Sequence, residues 1–306
     1  MSNCFFLLFT LLVCPSLQKP PPSSKHSGFI EADNVGDAID SMEPSCPQNI
    51  WELSGKFEGD IMLGPNEIDV KNVRRNETSR WPNATLVYHI HESFEEEEIQ
   101  RIKKAMAEIE NSSCVKFKEY SEGDKDYVLI ENDESGCWSY IGRIGSRQKL
   151  NLNREEGCLT HDTIIHEFLH ALGFHHQQSA SNRDDYVTIH WENIKEKGCL
   201  FKIRSPYYII CCQYSISDND SMDPKNNFKV MKEWKVTDFG VGYDYDSVMH
   251  YSRCAFSKND KPTITTVEEG VKIGQRDRLS DKDKMKLNIM YNCNKVEAEV
   301  ESSDTN

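Results

Sequence analysis

The stretch His166–His176, HEFLHALGFHH, constrains the fold of this chain more than any other feature. On a helix, His166 and His170 stand one turn apart on the same face, where two imidazoles can bind one zinc ion. Glu167 follows the first histidine and can reach a metal-bound water as a general base. Gly173 can take the positive φ with which a helix ends sharply, so that the reversed chain can return a further ligand. The stretch therefore predicts a helix, a sharp turn and a metal site.

Two histidines, His175 and His176, are available as the third ligand. The extended zincin pattern places this ligand ten residues after the first, which selects His176 and leaves His175 facing solvent or the cleft wall. Three protein ligands leave one position open, which is typical of a catalytic rather than a structural zinc site. The fixed offsets of the glycine and the third histidine disfavour the alternative of two solvent-facing helix histidines. The sequence therefore predicts one Zn²⁺ per chain.

The segment Ser247–Tyr251, SVMHY, is typical of a turn that places a methionine, Met249, beneath such a metal. A methionine within a turn commonly fills a gap in a core, so this pattern has little weight alone. Beside the three-histidine helix it becomes a strong indication.

The N-terminal segment Met1–Val13, MSNCFFLLFTLLV, has an apolar core too short to span a membrane. It predicts a signal peptide over residues 1–16, cleaved near Ser16, and hence a secreted, extracellular protein. A buried N-terminal strand or an uncleaved signal anchor is the alternative, and the anchor would give a membrane-tethered ectoenzyme. No later stretch reaches the roughly 18 apolar residues of a membrane span, so no membrane association is expected.

The charge balance is acidic, with 36 Lys and Arg against 50 Asp and Glu among 306 residues, a formal net charge of −14. This balance argues against a nucleic-acid partner, for which a basic stripe would be expected. Residues 296–306 are acidic without apolar periodicity and predict a solvated, disordered tail.

Eight of the 11 cysteines follow residue 76, and an even number is typical of a secreted disulfide framework. Four sequons agree with secretion and give the glycosylation candidates Asn76, Asn83, Asn111 and Asn219. The pair Arg74-Arg75 predicts a processing site, with an ordinary exposed basic pair as the alternative.

Hydrophobic periodicity predicts an α+β fold, with a twisted sheet and helices in the N-terminal half and a loop-rich C-terminal half that ends in a helix. The predicted helices are Phe94–Asn111, Thr163–Leu172 and Leu279–Asn292. The predicted strands are Ala84–His91, Val115–Tyr120, Asp126–Glu131 and Lys149–Asn153.

Taken together, these features resemble the astacin family of metzincin zinc endopeptidases. The zinc helix and a following RDDYV resemble the family's extended active-site pattern, and YDYDSVMHY resembles its Met-turn block. Nearer the N-terminus, RWPN resembles the start of the mature enzyme, and FEGD resembles the propeptide switch. The segments concerned are His166–His176, Arg183–Val187, Tyr243–Tyr251, Arg80–Asn83 and Phe57–Asp60, so the resemblance covers roughly Phe57–Cys293.

The resemblance implies a metzincin/zincin-like protease domain over residues 76–295 and an inhibitory propeptide over residues 17–75. Asp60 would bind the zinc in the zymogen, and a trypsin-like protease would remove the propeptide by cleavage after Arg75. Tyr251 would be a movable zinc ligand that stabilises the tetrahedral intermediate, for which its phenol is a suitable donor. The family's two disulfides correspond to Cys114–Cys293 and Cys137–Cys158. The substrates would be proteins or peptides, often cleaved before an acidic residue.

Two departures from the family pattern stand out. Gln177 follows the third histidine where the family usually has a glutamate that contacts the new N-terminus, and an amide cannot form that ion pair. The stretch Lys197–Trp234 is longer and richer in cysteine than the usual family loop, and we hypothesise that it edges the cleft and tunes substrate choice. We predict that Cys199 pairs with Cys211 or Cys212, that Cys254 pairs with the other, and that Cys46 is lost with the propeptide. A metal cluster is the rival interpretation, which secretion disfavours.

The predicted activity is metal-assisted peptide hydrolysis in a secreted monomer, with Glu167 as general base. A secreted, catalytically silent binding module that keeps the fold is the alternative from another class. Only Gln177 favours it, since the sequence contains every residue of the catalytic constellation.

Overall fold

The computed structural model describes residues 46–64, 77–196, 203–204, 209–210, 223–232 and 237–294. Several predicted features lie outside the described residues: the signal peptide, the cleavage site at Arg75, the acidic tail, Asn76, Asn219, Cys199, Cys211 and Cys212.

A five-stranded mixed sheet forms the N-terminal half, in the order β2-β1-β3-β5-β4. Its strands are β1 Thr85–Ile90, β2 Lys116–Glu119, β3 Tyr127–Glu131, β4 Cys137–Ser139 and β5 Arg147–Leu152. Alternation along β1 buries Leu86 and Tyr88 on one face. The first three pairings in this order are parallel, whereas β4 runs antiparallel to β5 at the sheet edge.

Three α-helices occur in the described part of the chain: α1 Glu96–Ser112, α2 His161–Leu172 and α3 Asp281–Met290. Helix α1 begins at a capping box formed by Glu95 and Glu98, and its buried face includes Ile102, Met106 and Ile109. Helix α3 begins at a second capping box, in which Ser280 and Asp283 bond each other's backbone. Both helices therefore begin within about two residues of their predicted starts, where the capping residues end the extended chain.

The C-terminal half contains short paired strands joined by loops, namely β6 Val187–Ile189 with β9 Ile264–Thr266, and β7 Ile203–Arg204 with β8 Ile209–Ile210. The predicted α+β class and its loop-rich second half are confirmed. Among the described residues, no helix combines the length and the apolar character needed to cross a membrane.

The structure joins Cys114 to Cys293 and Cys137 to Cys158, as the resemblance implies. Cys254, however, is bonded to Cys46, with 5.5 Å between their Cα atoms. The prediction that Cys254 pairs with Cys211 or Cys212 is therefore wrong, and so is the expectation that Cys46 has no partner in the protease part of the chain.

The physical reason for this pairing is long-range packing, which sequence separation does not reveal. Residues 46–53 lie against residues 252–256, where the Phe256 amide donates to Oε1 of Gln48 at 3.1 Å. The hydroxyl of Ser252 donates to Oε2 of Glu52 at 2.9 Å. These contacts hold the two cysteines side by side although 208 residues separate them.

Candidate metal centre

Helix α2 places two of the predicted ligands, and the turn after it places the third. The helix ends at Gly173, which has a left-handed φ of 114° that glycine adopts at little cost. The chain reverses its direction at this residue. His166, His170 and His176 are thereby brought together with Asp60 in a fully buried cluster, whose ligand atoms all lie within 4.8 Å of one another. The structure therefore assembles all four residues that sequence reasoning assigned to the metal.

The Asp60 carboxylate lies at the centre of the three imidazoles. Its Oδ2 is 2.9 Å from Nε2 of His166 and 3.3 Å from Nε2 of His176, while its Oδ1 is 3.4 Å from Nε2 of His170. All three rings thus turn the same nitrogen inward, which is the arrangement that a shared cation requires.

The outward nitrogens of the three rings have oxygen partners that fix the ring orientations. Nδ1 of His166 lies 2.9 Å from the Val248 carbonyl, and Nδ1 of His170 lies 2.8 Å from the Phe174 carbonyl. For His176 the partner is a carboxylate oxygen of Glu58, at 2.9 Å. Outer partners of this kind select the tautomer in which Nε2 can act as a metal ligand.

The donor set of this cluster fits zinc. Oδ1 of Asp60 and Nε2 of His170 are buried and have no hydrogen-bond partner among the described residues, although both atoms face the centre. Orphaned buried polar atoms are costly, and a cation between them would satisfy both. Three imidazole nitrogens and one carboxylate oxygen are ligands that Zn²⁺ prefers.

Burial and charge act in opposite directions on the pKa values in this cluster. Burial alone would raise the pKa of Asp60, but the charges of His176 and His170 and a hydrogen bond from His166 hold it well below its usual range. Burial lowers the pKa of His166 to about 4. It also acts to lower the pKa of His176, yet the carboxylates of Asp60 and Glu58 raise that pKa to about 9. Asp60 is therefore a carboxylate that requires a positive partner at this point, either an imidazolium proton or a metal ion.

Glu167 lies fully buried beside this cluster on α2. Neither of its carboxyl oxygens has a hydrogen-bond partner among the described residues. Burial raises the pKa of Glu167 well above its usual range, and the negative charge of Asp60 adds to the shift. A carboxyl group with a raised pKa and unused oxygens is suited to accept and return a proton.

The turn that contains Met249 forms one wall of the site and is held by α3. Met249 is buried, and its carbonyl accepts from the Gln177 amide at 2.9 Å. The buried Asp283 carboxylate accepts from the Ser247 hydroxyl at 2.6 Å and the Val248 amide at 3.0 Å. The sequence alone does not reveal this role of Asp283, because holding the turn depends on tertiary contact.

Residues of the predicted propeptide fill the space around the cluster. The Trp51 ring stacks on the His166 ring with 3.9 Å between centroids, and Oε1 of Glu58 accepts from the Ser179 hydroxyl at 3.0 Å. The Tyr251 hydroxyl donates to the Glu58 carbonyl at 2.6 Å. Sequence analysis missed Trp51 and Glu58 as functional residues, although the FEGD motif that contains Glu58 was an available signal.

The backbone of this segment also pairs with the edge strand β4. The Ser139 amide donates to the Asp60 carbonyl at 3.0 Å, and the Met62 amide donates to the Ser139 carbonyl at 2.8 Å. Gly59 has φ of 93°, and a Cβ there would lie 3.0 Å from the backbone of Glu52. The segment therefore occupies a sheet edge where an extended peptide could pair, and its glycine permits the close turn.

Two predicted glycosylation sites can be placed. Asn83 is exposed, with φ of 52°, and Asn111 is exposed near the end of α1. Both side chains are therefore accessible to modification.

Gln177 contacts a cation from within the chain. Its Oε1 accepts from Nζ of Lys286 at 2.6 Å, and both side chains are buried. Burial lowers the pKa of Lys286. The position at which the family contacts a new N-terminus is thus engaged here by a lysine of α3.

We expect Lys286→Met to destabilise the fold by about 1–3 kcal/mol, because Oε1 of Gln177 loses its buried, charged partner. Urea unfolding of the full-length protein measures this change in the free energy of unfolding. The matched control is Lys284→Met on the same helix, whose exposed pair with Asp281 is expected to contribute about 0.5 kcal/mol or less. Equal effects of the two substitutions would show that the Lys286–Gln177 contact contributes nothing particular.

Comparisons with known proteins agree with this geometry. The family model of the Astacin peptidases matches residues 73–203 and 213–292. Seminal metalloprotease 1 of Drosophila melanogaster is 38% identical over 248 residues, which are 79% of this chain and 88% of that protein. Zinc metalloproteinase nas-13 of Caenorhabditis elegans is 37% identical over 223 residues, which are 73% of this chain but 43% of that protein. Some relatives are therefore much longer than the region they share with this chain.

A solved structure gives the same result at the level of the fold. High choriolytic enzyme 1, a hatching enzyme zinc-protease from the medaka Oryzias latipes, is 31% identical with a TM-score of 0.57. The match covers 70% of this chain and 93% of that one.

Proposed function

Because this chain belongs to the astacin family of peptidases and is a zinc metalloendopeptidase, we propose that it is secreted as a zymogen and activated by cleavage near Arg75. The proposed units are a signal peptide over residues 1–16, a propeptide over 17–75, a protease domain over 76–295 and an acidic tail over 296–306. The observation that carries this proposal is the Asp60 carboxylate lying between three imidazoles, 2.9 Å from the nearest Nε2.

The proposed metal ligands in the active enzyme are His166, His170 and His176, with one zinc per chain. When bound, zinc would supply a Lewis acid that polarises the scissile carbonyl and acidifies water. Glu167 would accept a proton from the attacking water and deliver it to the leaving amine, because its carboxyl group is adjacent to the ligands and has no other partner among the described residues.

The role proposed for Tyr251 follows from its partner in this structure. Its hydroxyl donates to the backbone carbonyl of Glu58 within the segment that fills the cleft. In a substrate complex the same donor would serve the oxygen of the scissile peptide, where negative charge develops. The Glu58 carbonyl thus stands where a substrate carbonyl would be stabilised.

Latency in this proposal comes from direct occupation of the site. The Asp60 carboxylate would occupy the position of the catalytic water. The Trp51 ring stacks on the His166 ring, and a carboxylate oxygen of Glu58 lies 2.9 Å from Nδ1 of His176. Cleavage after Arg75 by a trypsin-like protease would free the new N-terminus of the protease domain and separate its backbone from that of this segment. Extracellular location is proposed from the signal peptide and from the disulfides.

The proposed function is tested by secreting the chain, treating it with trypsin and following hydrolysis of a fluorogenic peptide with an acidic residue after the scissile bond. We expect no hydrolysis before cleavage and measurable hydrolysis after it. A chelator should abolish it, and added zinc should restore it. A cut, zinc-loaded protein that binds peptides without hydrolysing them would instead support the silent binding module.

Tyr251→Phe is expected to lower kcat about 10²-fold, with KM and zinc content little changed, because one oxyanion donor is lost. Steady-state kinetics and metal analysis of the cut enzyme measure this. The control is Tyr120→Phe, which removes the hydroxyl of an exposed tyrosine that follows β2. A Tyr251→Phe enzyme with normal kcat would remove Tyr251 from the proposed mechanism.

We propose that the enzyme acts as a monomer on proteins or peptides and that residues 197–234 edge the cleft. Deletion of that stretch should change the cleavage profile of a peptide library, and an unchanged profile would defeat the idea.

A further inference from the structure

We propose that the Cys46–Cys254 disulfide keeps the cleaved propeptide attached to the protease domain, as a tethered inhibitor that proteolysis near Arg75 cannot release by itself. This inference rests on the proposed zymogen function. Cys46 precedes the predicted cut, whereas Cys254 follows it, so the bond joins the two chains that the cut would create.

The bond is deeply placed. Cys254 is fully buried, and Cys46 is 4% exposed. A thiolate must reach one of the two sulfur atoms to exchange with this bond, and burial obstructs that approach. The bond should therefore persist in the folded protein after the backbone is cut elsewhere.

The chain around Cys46 is also anchored by polar contacts outside the metal site. The guanidinium of Arg276 donates to Oδ1 of Asn49 and to the carbonyl of Gln48. The buried Glu52 carboxylate accepts from the Ser252 hydroxyl and from the Asn49 side chain, at 2.9 and 3.1 Å. None of these contacts uses the bonds that a cut at Arg75 removes, so the docked arrangement survives cleavage.

The disulfide places the inhibitory residues next to the site even when these contacts open. Only residues 47–50 separate Cys46 from Trp51, which covers His166. A tether this short gives the inhibitory segment an effective concentration at the site on the order of millimolar. Because the contact is intramolecular, this concentration does not fall when the protein is diluted. The cut enzyme would therefore remain largely self-inhibited until the tether is lost.

Two reactions could end the tethering. A dithiol reductant could exchange with the bond, so that Cys46 and Cys254 each gain one electron and one proton while the dithiol becomes a disulfide. Alternatively, hydrolysis of a second peptide bond, between Cys46 and Trp51, would free the inhibitory part and leave the propeptide segment that ends near Cys46 attached to Cys254. Either reaction would be a separate step of activation after the cut near Arg75.

The test replaces residues 70–75 with a recognition sequence for a site-specific protease, so that cleavage does not depend on natural activation. After complete cleavage, a denaturing gel without reductant should show one species of full mass, and a gel with dithiothreitol should show two fragments. Two fragments without reductant would overturn the proposal. The gel result does not require activity, so it stands even if the proposed peptidase function fails.

An activity measurement tests the inhibition itself. We compare the cut protein with a cut Cys46→Ala/Cys254→Ala double variant at falling protein concentration. The double variant should gain specific activity on dilution and exceed the disulfide-bonded protein by about tenfold or more, an order-of-magnitude figure from the tether's effective concentration. Equal specific activities at every dilution would overturn the inhibitory role of the tether. If neither cut protein is active, the proposed peptidase function fails, and the gel alone decides whether the tether exists.

Discussion

Glu167→Gln should lower turnover by about 10²–10⁴-fold while the protein keeps its zinc. The amide keeps the shape of the side chain but cannot accept the proton of the attacking water. Since the side chain is buried and its oxygens have no partner among the described residues, the substitution should leave the fold intact. Hydrolysis of a fluorogenic peptide by the cut enzyme, together with metal analysis, measures both quantities.

Glu155→Gln is the matched control for this prediction. It makes the same chemical change at an exposed residue outside the cluster, and its turnover should equal that of the unmodified enzyme. A Glu167→Gln enzyme with normal turnover would exclude Glu167 as the general base. Loss of zinc with loss of activity would show that Glu167 supports the metal site rather than the proton transfer.

Asp60→Ala should make the uncut protein active, with peptide hydrolysis at least about tenfold above that of the uncut parent, a gain that corresponds to about 1.4 kcal/mol. The reason is that Asp60 occupies the centre of the three imidazoles. Removal of its carboxylate opens that position to water, although Trp51 and Glu58 still obstruct the cleft. Hydrolysis by the uncut variant, with its integrity checked on a reducing gel, is the measurement.

Asp133→Ala is the control for latency, because it removes an exposed carboxylate outside the site. This variant should remain as inactive as the uncut parent. An Asp60→Ala protein that is equally latent would contradict the role of Asp60 and would place the inhibition on Trp51, Glu58 or the disulfide.

Local sequence patterns predicted the parts of this protein that depend on neighbours in the chain. Hydrophobic periodicity predicted α1, whose buried face includes Ile102, Met106 and Ile109, and the histidine spacing predicted α2 with its ligands. Gly173 predicted the reversal that brings in the third histidine, since few other residues accept its φ. These features are set by helix geometry, so one sequence suffices to find them.

Contacts between distant parts of the chain were beyond local patterns. Strand β4 was missed because its three residues are too short for a periodic pattern. The bond between Cys46 and Cys254 was missed because cysteine counting assigned each residue to a separate segment. The Met-turn contact of Asp283 likewise appears only when α3 packs beside the site.

Gln177 shows how a correct observation can lead to an incomplete expectation. Sequence analysis identified the amide as unable to form the ion pair that the family's glutamate makes with the new N-terminus, and it identified no other partner for Gln177. The structure supplies a partner within the chain, the ammonium group of Lys286, at 2.6 Å. An acceptor oxygen suffices for that contact, which explains why the neutral residue fits this site.

We propose that three histidines and the propeptide aspartate hold one zinc ion in the uncut protein. Crystals of the uncut protein, measured at the zinc absorption edge, test it directly through the anomalous difference map. We predict one peak, surrounded by Nε2 of His166, His170 and His176 and by an oxygen of Asp60. If a zinc-loaded crystal showed no peak among these four residues, or a peak elsewhere, these residues would not be the zinc ligands of the uncut protein.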